Sequence, residues 1–233
     1  MIAAGALAAC GRIDFVLAHD AGNALDADAE RAMWKVDGVV GSSGNQISIT
    51  AAAGDLLVLD VDPGSHPDEV VSIADDTGDV FAMLPNGTQM LNGDVGFQLY
   101  YVEGARAGQH TISVTMASGM STGLVVWDVA GIATSGAVDT VNGTSEAAAT
   151  TLPETPEITT SIRGEFVLAV ATLGEGFTGL AAGSPFTIDS NLGGDAFSHL
   201  ADASAPIAAY QAIWEQQPAG TYCSAIAGFL TAP

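Results

Sequence analysis

The chain has 233 residues, with 27 acidic against 5 basic side chains and a formal net charge of -22. That balance repels phosphate backbones and anionic bilayer surfaces, which excludes nucleic acid as a partner and leaves a membrane reachable only through a covalent lipid. The length suits one large domain or two small ones; the hydrophobic share of 48% leans on alanine, and a charged share of only 14% leaves a polar surface of Thr, Ser, Asn and Gly.

Residues Met1 to Ala9 are small and apolar and end in Leu7-Ala8-Ala9, with Cys10, Gly11 and a polar stretch after them. This segment resembles the lipobox of bacterial lipoproteins. The resemblance implies a signal peptide over 1–9, cleavage before Cys10 and a lipid on Cys10 as the membrane anchor. Gly11 in place of an Asp is similar to lipoproteins sent on to the outer membrane or cell surface, so the implied location is extracytoplasmic. No basic residue precedes Cys10, and a start site further upstream would supply one. A spanning helix would need about 18 or more apolar residues, far more than this run offers.

Residues 10–33 read as a tether, mostly irregular, with Asp14, Asp20, Asp26, Asp28 and Glu30 among Ala and Gly. A short helix over Ala24 to Met33 is expected there, capped by Asn23 with acids in its first turn. From residue 34 to 233 the pattern is that of one β-sandwich domain. Strands are expected at Gln46 to Thr50, Asp55 to Val61, Val70 to Ala74, Asp79 to Leu84, Phe97 to Val102, His110 to Met116 and Gly123 to Val129. Further ones are expected at Ile158 to Ile162, Glu165 to Leu173, Pro185 to Ile188, Ile207 to Trp214 and Thr221 to Leu230. In His110 to Met116, Ile112, Val114 and Met116 share one face. Val167 to Ala171 is apolar on both faces, as a central strand requires. Asp75-Asp76-Thr77-Gly78 has hairpin chemistry, and Pro85-Asn86-Gly87, Asn92-Gly93, Asn142-Gly143 and Gly193-Gly194 read as turns. The Asn-Gly-Thr sequons at Asn86 and Asn142 are read as turns too. Many short strands with such punctuation predict an all-β, two-sheet antiparallel sandwich of jelly-roll or immunoglobulin-like type, with no helix longer than about three turns.

The ordered series Val70–Ala74, Asp75–Phe81, Gln98–Tyr101, Ala107–Thr115, Val126–Gly131, Gly164–Val170 and Ala225–Phe229 resembles a bacterial secreted β-sandwich domain of surface proteins. The resemblance runs from about Gln46 to the end. It implies a display or adhesion module with no assigned chemistry. With the lipobox and no convincing catalytic set, the expectation is a non-catalytic role with a glycan or a surface protein as ligand, and no cofactor.

The candidate site residues are few. His19, His66, His110 and His199 never take the spacing of a zinc site. Gly119 to Gly123 matches Gly-x-Ser-x-Gly by letter, with Ser121 at its centre, but a strand follows where a nucleophile elbow needs a helix, so it reads as a turn. Cys223 has no basic neighbour and lies in an apolar strand, which predicts a buried, inert thiol. Asp128, Glu165 and Glu215 are the carboxylates that could hydrolyse glycosides, the alternative to a binding role. Asp128 interrupts an apolar run and is expected to accept hydrogen bonds from donors around Gly131. Calcium is the one ion the sequence suits, through Asp60 and Asp62 or Asp75, Asp76 and Asp79. Tyr100 and Tyr101 point to opposite faces of one strand, so one of them, taken as Tyr101, is the candidate ligand contact, whereas Trp127 and Trp214 are expected in the core.

Overall fold

A strand that is apolar on both faces needs a covering layer on each side of its sheet. Leu56 to Val61 is such a strand, buried throughout, and the fold supplies both layers. The computed structural model describes residues 32–63, 70–117 and 123–233, with the backbone alone for Glu146. The cysteine expected to carry lipid, Cys10, the Ala24 to Met33 helix for most of its length, His19, His66 and Ser121 lie outside the described residues.

The strands in chain order are β1 (Lys35–Ser43), β2 (Gln46–Ala51), β3 (Leu56–Asp62), β4 (Val70–Asp75), β5 (Ala82–Leu91), β6 (Asp94–Val102), β7 (Gly108–Met116) and β8 (Gly123–Ala130). They continue as β9 (Val138–Thr150), β10 (Ile158–Thr159), β11 (Phe166–Leu173), β12 (Gly176–Leu180) and β13 (Phe186–Ser190), then β14 (Ala196–Leu200), β15 (Ala209–Tyr210), β16 (Trp214–Gln217) and β17 (Gly220–Phe229). Strands make up 64% of the structure, and among the described residues the sole helical piece is the 3-10 turn Leu192–Gly194. The chain is all-β, as its periodicity predicts.

One sheet has the order β1-β8-β3-β6-β5, and a three-stranded sheet, β2-β7-β4, covers one of its faces. The pairs β1 with β8, β2 with β7 and β3 with β6 are nested as in a jelly roll. Leu57, Leu59 and Val61 pack there against Ile47, Ile49, Ile112 and Val114. The opposite face meets a second five-stranded sheet, β13-β14-β11-β17-β9. That core holds the bulk: Trp34, Phe97, Trp127, Phe166, Phe197 and Phe229, each stabilising the fold by roughly 1.5–3 kcal/mol through burial. The ribbons β10-β15 and β12-β16 cover the far side, where Tyr210 and Trp214 lie over Val167, Ala169 and Ile226. The expected two-sheet antiparallel sandwich thus carries one further layer on each side. Side chains alternate as expected: Ile112, Val114 and Met116 share the jelly-roll core, and Trp127 and Trp214 are fully buried.

Three turn assignments change. Asp75 to Gly78 does form a turn, with the Gly78 N–H on the Asp75 carbonyl at 3.0 Å. It is a corner and not a hairpin, because β4 pairs with β7 in the covering sheet while β5 pairs with β6. Pro85 to Gly87 is a bulge inside β5, where the register jumps between Met83 and Thr88. Asn142 and Gly143 lie within β9, paired to Ile226 and Ala225. Asn92-Gly93 is the hairpin turn between β5 and β6, both residues at positive φ, 55° and 86°.

Candidate functional site

The corner after β4 gathers one ion-pair network. Asp75 Oδ2 accepts from the Thr77 hydroxyl and lies 2.9 Å from His110 Nδ1. The other ring nitrogen, Nε2, is 2.9 Å from the Arg106 carbonyl, so it carries a proton and donates. Asp79 takes the Arg106 backbone N–H at 2.9 Å and faces the guanidinium Nε at 3.4 Å. Asp76 accepts from the Thr111 N–H at 2.8 Å. Burial opposes a charge on His110, but Asp75, the Arg106 carbonyl and Asp79 outweigh it and raise its pKa. Burial likewise works against the Asp75 carboxylate, yet Thr77 and His110 hold its pKa below the ordinary value. His110 and Arg106 lie against Asp75 and Asp79, while Asp75 Oδ1 is buried without a hydrogen-bond partner and Asp75, Asp79 and His110 each offer a ligand atom within 4.8 Å of the others.

Asp128 stands on β8 with Trp127 and Val129 turned to the aromatic core and its own side chain turned the other way. The expected donors around Gly131 do not serve it, because its partner is the carboxyl of Asp55, just before β3. Burial, then the charge of Asp55, pushes Asp128 up to about 7. Asp37, in β1, completes a trio with one carboxylate oxygen from each within 4.8 Å of the others.

Asp60 and Asp62 lie elsewhere, on the aromatic-core side of β3, where they meet Asp195 from the opposite sheet. Burial, then Asp62, holds Asp60 well above the usual carboxylate range. Asp195 is raised in the same way, by burial first and then by Asp62, although it accepts the Leu173 N–H at 3.1 Å. A cleft of about 350 Å³ opens over this group, lined by Asp62, Asp94, Asp195, Asn92 and Thr172. The two calcium candidate sets are therefore separate acidic centres.

Tyr100 is buried in the jelly-roll core and Tyr101 is half-buried on the other face. Tyr101 lines an open groove of about 390 Å³ together with Asp79, Val80, Glu103 and Arg106. The groove's charged walls are fixed: Glu103 accepts the N–H groups of Gly136 and Ala137 at 2.8 and 2.6 Å, and Arg106 Nη1 donates to the Thr77 carbonyl.

Glu165 is buried, and its Oε1 accepts the N–H groups of Ser161 and Ile162 at 2.5 and 2.8 Å. Glu215 is exposed on β16. Asp128 belongs to the trio above, so these three carboxylates serve three different surroundings. His199 Nδ1 lies 2.6 Å from Asp189, whose other oxygen takes the Trp127 indole N–H at 3.0 Å. Asp55, Asp189 and Asp195 carry no sequence signal of their own, since their partners come from distant strands.

No protein-family model, curated protein or solved structure matches this chain.

Proposed function

We propose that the chain is an extracytoplasmic binding and display domain, anchored to a membrane by lipid on Cys10, that takes a glycan or a surface protein in the Tyr101 groove. The observation that carries this reading is Tyr101 itself. A partly exposed ring, packed on its inner side against the aromatic core, lines an open groove beside a guanidinium and carboxylates whose partners already hold them in place. An apolar ring face with a few oriented polar groups is how ligand sites gain both affinity and direction, and walls fixed in advance lower the entropy lost on binding. The lipid supplies the membrane contact that a chain of net charge -22 would not make with an anionic surface.

A glycan array with the purified chain tests the groove. Tyr101→Ala should weaken binding by about two- to tenfold, the loss of one stacking contact of ~0.5–1.5 kcal/mol; unchanged binding would reject the groove. Metabolic labelling with an alkyne fatty acid tests the anchor, and a Cys10→Ser chain that still labels would reject it.

A glycan-active hydrolase is the second reading. The cleft of Asp62, Asp94 and Asp195 favours it, because it places a carboxyl whose pKa burial raises beside other acids, the raw material of acid-base hydrolysis. Reducing ends released in the same array samples, and lost in Asp195→Asn, would establish it in place of simple binding.

A further inference from the structure

Three neighbouring strands, β1, β8 and β3, bring Asp37, Asp128 and Asp55 to one end of their sheet. Asp128 pairs opposite Gly38 on one side and Leu57 on the other. Asp37 is the residue skipped where the β1 register shifts between Val36 and Gly38, and such a bulge re-aims a side chain. Asp55 immediately precedes β3. One carboxylate oxygen of each lies within 4.8 Å of the other two.

Two of these acids are buried, Asp55 at 5% exposure and Asp128 at 3%, whereas Asp37 is exposed. Asp55 Oδ2 has the Ala52 N–H at 2.8 Å. Asp128 Oδ1 is buried with no hydrogen-bond partner at all. A buried carboxylate oxygen without a donor is costly, and two carboxyl groups in contact need either a shared proton or a cation between them. Neither nearby cation hydrogen-bonds the two buried acids. Lys35 is exposed and pairs with Asp37 at the rim, acting on Asp128 only through its charge, and His110 gives its two ring nitrogens to Asp75 and the Arg106 carbonyl.

What converges here is oxygen only, all of it carboxylate, with two ligands fixed in the fold and a third, Asp37, exposed at the rim and shared with Lys35. Such a set suits a hard divalent ion, and its irregular geometry suits calcium better than magnesium, which demands a near-ideal octahedron. We propose that Asp37, Asp55 and Asp128 form a calcium site that ties β1, β8 and β3 together at the end of the jelly roll. The unpartnered Asp128 oxygen is its innermost ligand, and water and backbone carbonyls complete the shell. The site does not depend on the Tyr101 groove or on the lipid anchor.

Thermal unfolding of the purified full chain, stripped of metal and then given calcium chloride alone, tests this. With a Kd on the order of 10⁻⁴–10⁻³ M, as in extracellular calcium modules, about 10 mM calcium should raise Tm by roughly 3–11 °C. Asp128→Asn should abolish that rise. Asp37→Asn, an exposed change that leaves the core intact, should weaken calcium binding at least about tenfold in calorimetric titration, and it decides the matter if Asp128→Asn does not fold. Asp62→Asn, in the other acidic centre, should respond like wild type. No rise at about 10 mM calcium, ten times the weak end of that range, would mean that the trio holds a shared proton only, and the proposal would fail. A rise kept in both Asp128→Asn and Asp37→Asn, or lost in Asp62→Asn alone, would place the ion elsewhere and overturn it equally.

Discussion

Gly96 and Cys223 face each other across the two central sheets so closely that a Cβ on Gly96 would lie 2.4 Å from the Cys223 sulfur. Gly96 is on β6 and Cys223 on β17, and the thiol fills the space that the missing side chain leaves in the aromatic core. Glycine is needed at this position for close approach, not for a turn.

Gly96→Ala should therefore overpack the core and cost ~1–3 kcal/mol, seen as a lower urea midpoint. Gly96→Ala combined with Cys223→Ala should lose less than the sum of the two single changes, because the methyl then occupies the place of the sulfur. Burial pushes the Cys223 thiol far up, so an aromatic disulfide reagent should label it only as fast as the chain unfolds. Rapid labelling of Cys223 in a native Cys10→Ser chain would show that the two sheets do not meet here.

Asp189 sits at the bulge of β13, where the register jumps between Ile188 and Ser190. The bulge turns its carboxylate inward to the Trp127 indole and the His199 ring. Asp189→Ala leaves the N–H of a fully buried Trp127 unpaired, at a cost of ~1–3 kcal/mol. Asp189→Asn keeps an acceptor and should retain much of that stability. Urea titration followed by tryptophan fluorescence compares the two; equal losses would mean that the indole bond contributes nothing.

How much of this was legible beforehand depends on where the partner lies. β3, β7 and β11 announce themselves, because apolar residues on one or both faces are a local signal. The 13 residues of β9 do not, since Val138–Thr150 is polar and Ala-rich and is a strand only because β17 pairs with it. Asn142-Gly143 has the chemistry of a turn, and pairing with β17 overrides it. The same division runs through the sites. Asp128 stands out because a carboxylate breaks an apolar run, and Tyr101 because alternation buries its neighbour Tyr100. Asp55, Asp37 and Asp195 become neighbours of other acids only through strand order, which no local pattern encodes.

Glu165 illustrates a carboxylate with a structural task. Its Oε1 gathers the Ser161 and Ile162 N–H groups and the Ser161 hydroxyl, closing the turn that leads into β11. Burial raises its pKa in spite of those donors. Glu165→Ala should cost about 1.5–3 kcal/mol, the range for hydrogen bonds to a charged group, and should leave ligand binding unchanged once the variant is folded. A stable variant that lost binding or turnover would instead make Glu165 a site residue.

The His110–Asp75 pair should leave a signature in the pH dependence of stability. His110 has its pKa raised above the ordinary 6.5, so its contribution is complete below 6.5 and is lost as pH rises through the higher folded value. Asp75 has its pKa lowered below 3.8, so its contribution is complete above 3.8 and is lost only as pH falls through the lower folded value. The pair is thus fully effective between those two ordinary values. The charged groups facing the imidazole are Asp75, Asp79 and, more distantly, Asp128, with Arg106 beside Asp79 and giving its carbonyl to the ring. Asp60 and Asp195, whose pKa values are raised, also make the fold less stable as pH rises, but that slope is common to wild type and variant and cancels in their difference. His110→Gln should therefore destabilise the protein more at about pH 5.5 than at about pH 8.5, since only the protonated ring gains from both acids. Urea unfolding of the two chains at both pH values measures this directly. A stability difference that grew with pH would show that the buried ring is neutral and that Asp75 is held by the Thr77 hydroxyl and the Asp79 N–H without it.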